Sequence, residues 1–338
     1  MRVTISDVAR LAGVSTATVS HTINNTRYVS NETKEKVYQA IDELGYTPDA
    51  SARSFRTGKK KTIGFIVPDI SNKFFATIIE AVENQLSARG YHLIIANTRE
   101  NMDREENTIR LLTAGLVDGL LVASTMDNFE RFDRLIPAGF PVVLVDRTFE
   151  EKKYSSICVS NFQPIYRSVC RLAGKGARRV GIIGGLPRLS TTKERIFAYQ
   201  QAVADCGLVQ EEALIRYGDS MENSARSCLD ELLEQKCDAL IVCQGLMALE
   251  TISYLGLKNI RLAEDIDLVS FVDYDYDFYD LYSNRVDSII QPVEELGNAA
   301  GEQILRRVEE PDAPVFEKVL TSAYKPCGLS TAQSCSER

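Results

Sequence analysis

From residue 62 onward, short apolar runs rich in β-branched residues alternate with longer amphipathic stretches, and they do so twice over. The first series reads "TIGFIVPD", a predicted helix over 73–89, "YHLIIAN", a helix over 103–115, "DGLLVAS", a helix over 128–136, then "PVVLVDR". The second reads "RRVGIIGG", a helix over 192–205, "ALIRYGD", a helix over 222–235, "DALIVCQ", a helix over 246–255, then "IDLVSFVD". Strands without polar alternation, each followed by a helix, require parallel sheets covered on both faces. Two such series predict an α/β region of two lobes, with a cleft where the C-terminal ends of the strands face one another. The segment "SIIQPVEELGNAAGEQILRRV" predicts a late strand and helix that return to the first lobe.

The first sixty residues follow a different rhythm. Ile5, Val8, Ala9 and Ala12 recur at helical spacing, with Thr4 as N-cap, Asp7 three residues on and Gly13 at the stop. Ser15 caps a second helix, "TATVSHTIN", with Val19 and Ile23 facing inward. Ser30 opens a third, with Val37, Ile41 and Leu44 as its stripe and Gly45 as its end. About three residues separate the first two helices, the spacing of a helix-turn-helix. The outer face of the second carries Thr16, Ala17, Ser20 and His21, short or polar groups suited to a DNA major groove and equally to a solvated surface.

Charge separates the two regions. Residues 1–61 hold ten basic and six acidic side chains, a net of +4, although the whole chain carries −8. Five of those cations (Arg53, Arg56, Lys59, Lys60 and Lys61) fall in "SARSFRTGKKK", with Phe55 among them. A small cationic module attached to a larger acidic one is expected of a protein whose small part meets a polyanion. Chance clustering on a solvated surface is the alternative. Eight cysteines form no CxxC pair and only two histidines are present, so reduced thiols are expected and no metal site. The apolar runs are too short to span a bilayer, and "MRVTISDVARLAG" does not read as a secretory signal, so a cytoplasmic location is expected. There is no nucleophile–base pair, and "GIIGGLP" lacks the remaining residues of a nucleotide-binding loop, so neither catalytic residues nor a cofactor are expected.

"TISDVARLAGVSTATVSHTINNTRYVSNETKEKVYQAIDELGYTPDASARSFRTGKKKTIGFIVPDISNKFF" resembles the start of a LacI-type transcription regulator. The resemblance implies an all-α helix-turn-helix domain over 1–48 and a hinge over 49–61. A two-lobed, periplasmic-binding-protein-like effector and dimerisation domain follows over 62–330, with a disordered tail over 331–338. The implied partners are a palindromic double-stranded DNA operator, a second copy of the chain and a small effector, with no membrane. The implied DNA-contacting set is Thr4, Ser15, Thr16, Ala17, Thr18, Ser20, His21, Asn24, Arg53, Phe55 and Arg56. "VSTATVSH" is most similar to the purine and ribose repressors, while many members carry arginine in place of His21. Phe55 occupies the position of the family's leucine wedge, which enters the minor groove. A linker aromatic resting on the larger domain is the other reading.

For the effector, matching the family pattern implies Ser71, Asn72, Asp146, Arg147, Thr191, Arg195, Gln244, Asp273 and Gln291. Asp146–Arg147 could instead be a salt-bridged loop. "IIGGLPRLSTTKER" and "VSFVDYDYDFYDLYSNRVDSIIQ" look more like the fructose- and sucrose-responsive branch, so a sugar or sugar phosphate is expected. Arg195, Arg147 and Lys193 are the cations available to a phosphate. "DYDYDFYD" over 273–280 would stack on a sugar or cap a loop. The rival readings are a sugar-binding protein or a sugar-processing enzyme that retains the core.

Overall fold

In the computed structural model, which describes residues 3–24, 27–46, 59–219, 224–272, 282 and 284–327, the chain forms two compact units, Met1–Lys60 and Lys61–Arg338. The first holds α1 (Ile5–Ala12), α2 (Thr16–Asn24) and α3 (Asn31–Leu44). Asp7 accepts from the Thr4 backbone N–H at 3.0 Å and its hydroxyl at 2.7 Å, which fixes the start of α1. Gly13 and Gly45 close α1 and α3 in the left-handed conformation expected of glycine at those stops. Val8, Ala9, Val19, Val37 and Ala40 form the core, with Ile23, Ile41 and Leu44 packed at its edge.

The larger unit contains two six-stranded sheets. The first runs β11–β5–β4–β3–β1–β2, from β1 (Thr62–Val67), β2 (His92–Asn97), β3 (Gly119–Val122), β4 (Val142–Val145), β5 (Ser155–Ser160) and β11 (Glu317–Thr321). Its pairings are parallel throughout. The second runs β12–β10–β9–β8–β6–β7, from β6 (Val180–Gly184), β7 (Ile215–Tyr217), β8 (Ala239–Val242), β9 (Asp267–Val272), β10 (Val286–Ile290) and β12 (Ala323–Lys325). It is parallel except for β12 against β10.

The inner strands β1, β3, β4, β6, β8 and β9 are buried on both faces, as uninterrupted apolar strands demand, whereas the edge strands β2, β7, β11 and β12 are partly exposed, Ile94 and Ile95 of the apolar β2 run among them. On the first sheet, α4 (Lys73–Ser87) and α11 (Val293–Glu309) cover one face; α5 (Met102–Thr113) and α6 (Phe129–Asp133) cover the other. On the second, α7 (Phe162–Lys175) and α8 (Ser190–Asp205) cover one face; α9 (Ser224–Glu234) and α10 (Gly245–Leu257) cover the other. Gly297 lets α11 lie close on α4, since a Cβ there would stand 2.6 Å from that of Ala81.

Three features depart from the sequence expectation. The late strand β10 does not return to the first lobe; it pairs with β9 in the second sheet, and only α11 returns. The unit β5–α7 was not anticipated: β5 is "SSICVS", half polar, and α7 carries Pro164 in its first turn. The two short closing strands were also missed. As a result the chain passes between the lobes three times, at Asn161, at Gln291–Pro292 and at Ser322.

Candidate functional site

The C-terminal ends of β1, β2, β4, β7, β8, β9 and β10 and the first turns of α8 converge on a cavity of about 660 Å3. Ser71, Asn72, Asp146, Arg147, Thr191, Arg195, Gln244 and Gln291 all line it. Asp273 and the 273–280 run lie outside the described residues.

Arg195 organises the second-lobe wall. Thr191 and Arg195 stand four residues apart on α8, and so share the face turned to the cleft. The Arg195 guanidinium is buried over the Phe271 ring, 4.0 Å from its centroid. Its Nε donates to Asn161 Oδ1 at 2.7 Å and one Nη to the Cys243 carbonyl at 2.6 Å. Asn161 is itself the first lobe crossing, and Glu194 accepts from its backbone N–H and its side-chain amide. The arginine that faces the cavity is therefore tied directly to a segment joining the lobes. Gly185 permits the close approach of β6 to this wall, because a Cβ there would lie 2.9 Å from Gln244 Nε2.

The first-lobe wall is a charge network. Asp146 adopts a left-handed backbone conformation (φ 66°) at the end of β4, unusual for a residue with a side chain. Burial pushes its carboxyl above the ordinary value, against the opposing pull of Arg147 and Arg195. Arg147 makes a two-pronged pair with Glu100 at 2.9 and 2.6 Å, the arrangement expected of a salt-bridged loop, while both residues of the dipeptide line the cavity. Among the described residues, two buried donors on the cavity, Arg147 Nε and Gln291 Nε2, have no hydrogen-bond acceptor, the Asp146 carboxylate standing 3.9 Å from that Nε. Ser71 and Asn72 hold the entry to α4: Ser71 donates to Asp69 from N at 2.9 Å and from Oγ at 2.7 Å, and Asn72 Oδ1 caps the helix at Phe74 N.

Lys193 does not reach the cavity. It lies two positions from both Thr191 and Arg195, which on a helix turns it to the opposite side, where it is exposed. Sequence reasoning also missed the contacts that clasp the lobes. From the loop before α8, Arg188 donates to the Thr125 carbonyl at 3.1 Å and the Glu100 carbonyl at 2.9 Å. Ser190 Oγ accepts from Thr148 N at 3.1 Å. Buried Glu105 braces the receiving loop, accepting from Ser124 Oγ, Thr125 N and Thr125 Oγ1. The helical period of "RLSTTKER" carried the Lys193 signal, whereas nothing local marked Arg188.

In the smaller unit, Thr16, Ala17, Ser20, His21 and Asn24 share one side of α2, opposite buried Val19 and Thr22. Thr16 and Ala17 are exposed at the helix start. Ser15 Oγ accepts from Thr18 N at 3.1 Å and lies 2.9 Å from Thr18 Oγ1, so both hydroxyls take part in the cap. Asn24 Nδ2 donates back to the Ser20 carbonyl at 2.7 Å, and Thr4 is engaged with Asp7. Arg53, Phe55 and Arg56 lie outside the described residues. Among the described residues no three His, Cys, Asp or Glu side chains gather as a metal site, and no helix is long and apolar enough to cross a membrane.

Comparison with known proteins accounts for both units. Residues 4–49 match the family described as bacterial regulatory proteins, lacI family, and residues 60–323 match the periplasmic binding proteins and sugar binding domain of LacI family. The chain is 33% identical over 310 residues to the HTH-type transcriptional repressor PurR of Aliivibrio salmonicida (strain LFI1238), covering 91% of this chain and 92% of that one. It is 34% identical over 314 residues to the repressor of the same name from Vibrio atlanticus (strain LGP32), covering 91% and 93%. Among solved structures it is similar to a complex of the transcriptional regulator CelR with cellobiose, at 27% identity and TM-score 0.70, covering 96% and 98%. The lac repressor dimer bound to operator and the anti-inducer ONPF has the same fold, at 21% identity and TM-score 0.83, with the same coverage.

Proposed function

Because the chain belongs to the LacI family of bacterial regulatory proteins, we propose that the small molecule governing it is an uncharged sugar held in the cleft between its lobes. The protein is a DNA-binding transcriptional repressor controlled by a small-molecule effector, and not an enzyme.

The observation that carries the choice of effector is the charge balance of the cavity. Asp69, Glu100, Asp146, Asp219 and Glu250 line it, against Arg99, Arg147 and Arg195. Arg147 is already committed to Glu100. A phosphate ester would bring roughly −1.5 to −2 charges into a site with excess carboxylate, so the sugar-phosphate alternative is disfavoured. Sugar hydroxyls both accept and donate. They would satisfy Arg147 Nε and Gln291 Nε2 and donate to Asp146, with the apolar face of the ring against Phe74 and Phe75. The sugar in the CelR complex supports the same class.

Coupling to DNA follows from the same wall. A ligand that engages Arg195 acts on a side chain bonded to Asn161, so it favours one disposition of the lobes over another. The response is a shift between populations set by differential affinity. The protein would act in the cytoplasm as a dimer on a palindromic site. The exposed start of α2 would read the major groove, and the cations of the 49–61 hinge would contact phosphates. Ser15 and Thr18 then shape the start of the helix that reads and Thr4 that of the helix before it, while Thr16, Ala17, Ser20 and His21 face the bases.

A thermal-shift screen of uncharged mono- and disaccharides, their phosphate esters and nucleobases tests this. Ligand at a hundred times its Kd adds about 2.7 kcal/mol, which raises the melting temperature by roughly 5–10 °C. Uncharged sugars should supply the hits; a response confined to phosphates or nucleobases would overturn the proposal.

A further inference from the structure

Away from the cleft, on the side of the second lobe where α7 packs on α8, two cysteines meet. Cys206 closes the C-terminal end of α8, and its thiol donates to Cys170 Sγ of α7 at 3.2 Å. Both side chains are half-buried and neither is in a disulfide. Beside them Tyr166 donates to Asp205 at 2.9 Å, which holds this end of the helix pair together. At the other end the same two helices meet through Asn161, Glu194 and Arg195.

We propose that Cys170 and Cys206 are a thiol–disulfide pair that closes on exposure to a hydroperoxide and staples α7 to α8. A disulfide needs an S–S distance of about 2.0 Å, so the two sulfurs must approach by only about an ångström. Chain packing has already brought together residues 36 apart in sequence. In the first step one thiolate sulfur attacks a peroxide oxygen. The O–O bond breaks, a sulfenic acid forms and water leaves after proton uptake. In the second, the other sulfur attacks the sulfenic sulfur, the S–O bond breaks and a second water leaves. Two electrons pass from the sulfurs to one hydroperoxide, and a dithiol reductant reverses the change. Burial, aided by the neighbouring Cys206 thiol, pushes the Cys170 thiol up to about 11. Its thiolate is therefore scarce at neutral pH, and the pair stays reduced until an oxidant is supplied.

The test uses the full-length reduced protein at pH 8, treated with excess hydrogen peroxide, alkylated and digested without reduction. Peptide mapping should find the segments carrying Cys170 and Cys206 cross-linked, 2 Da lighter than the separate thiols, and released by dithiothreitol. Oxidation should raise the melting temperature by several degrees in the wild type, but not in Cys170→Ser or Cys206→Ala. Alkylation of both thiols after peroxide, sulfinic acid without a cross-link, or pairing with another cysteine would overturn the proposal. A Cys170–Cys206 cross-link that leaves melting unchanged would overturn the stapling role.

Discussion

Replacing Arg195 with alanine removes two short hydrogen bonds from a buried guanidinium, one to Asn161 Oδ1 and one to the Cys243 carbonyl, and uncovers the Phe271 ring. Hydrogen bonds to a charged group are worth about 1.5–3 kcal/mol each, and the acceptors left behind are buried. Loss of the arginine also recovers part of its own desolvation cost, so the lower end, about 3 kcal/mol, is the appropriate figure. For a domain of this size each kcal/mol moves the melting temperature by about 2–4 °C. Arg195→Ala should therefore melt roughly 6–12 °C below the wild type. Effector affinity should fall about ten- to a hundred-fold, since one charged hydrogen bond to ligand is lost as well. Scanning calorimetry with and without DNA, together with titration of the sugar identified by screening, reads both effects. A melting temperature within 2 °C of the wild type would refute the claim that Arg195 ties the cavity to the first lobe crossing, whatever became of affinity.

His21→Arg should change the half-site recovered from a random operator pool, because a guanidinium can pair with both guanine acceptors; an unchanged consensus would mean that α2 docks differently. Asp146→Asn should alter stability in a pH-dependent way. Since burial raises the Asp146 carboxyl in the folded state, the wild type loses stability as pH rises from the ordinary value of 3.8 through the raised one. The variant's melting advantage should grow across that window and then level off, and an offset independent of pH would refute it. Phe55→Ala should weaken operator binding and reduce DNA bending in a circular-permutation assay, while leaving the melting temperature unchanged. A fall of several degrees with bending intact would make Phe55 a packing residue.

Much of this architecture was legible because its signals are local. The caps at Thr4, Ser15 and Ser30 and the apolar strand runs announce their elements over a few residues. What escaped was either disguised or non-local. Pro164 sits in the first turn of α7, where it costs the helix no hydrogen bond, yet it reads as a breaker; Ile165, Val169 and Leu172 were the helical stripe beyond it. The lobe that β10 joins is set by pairing with β9, which no short window contains. Within the cavity, strand-end positions were readable from resemblance, but the roles of Asn161, Glu100 and Arg188 depend on chain segments brought together from distant parts of the sequence. Lys193 is the opposite case: helical period alone set it apart from Thr191 and Arg195.

The most direct test of the account is the affinity of the full-length protein for its selected operator, measured by fluorescence anisotropy as one uncharged sugar and its phosphate ester are titrated in turn. The uncharged sugar should shift operator affinity by tenfold or more, saturating at its own binding constant. The phosphate ester should leave operator affinity unchanged over the same range. An operator affinity that responds only to the phosphate ester, or that ignores a sugar shown to bind, would contradict the acid-rich cleft as the seat of control.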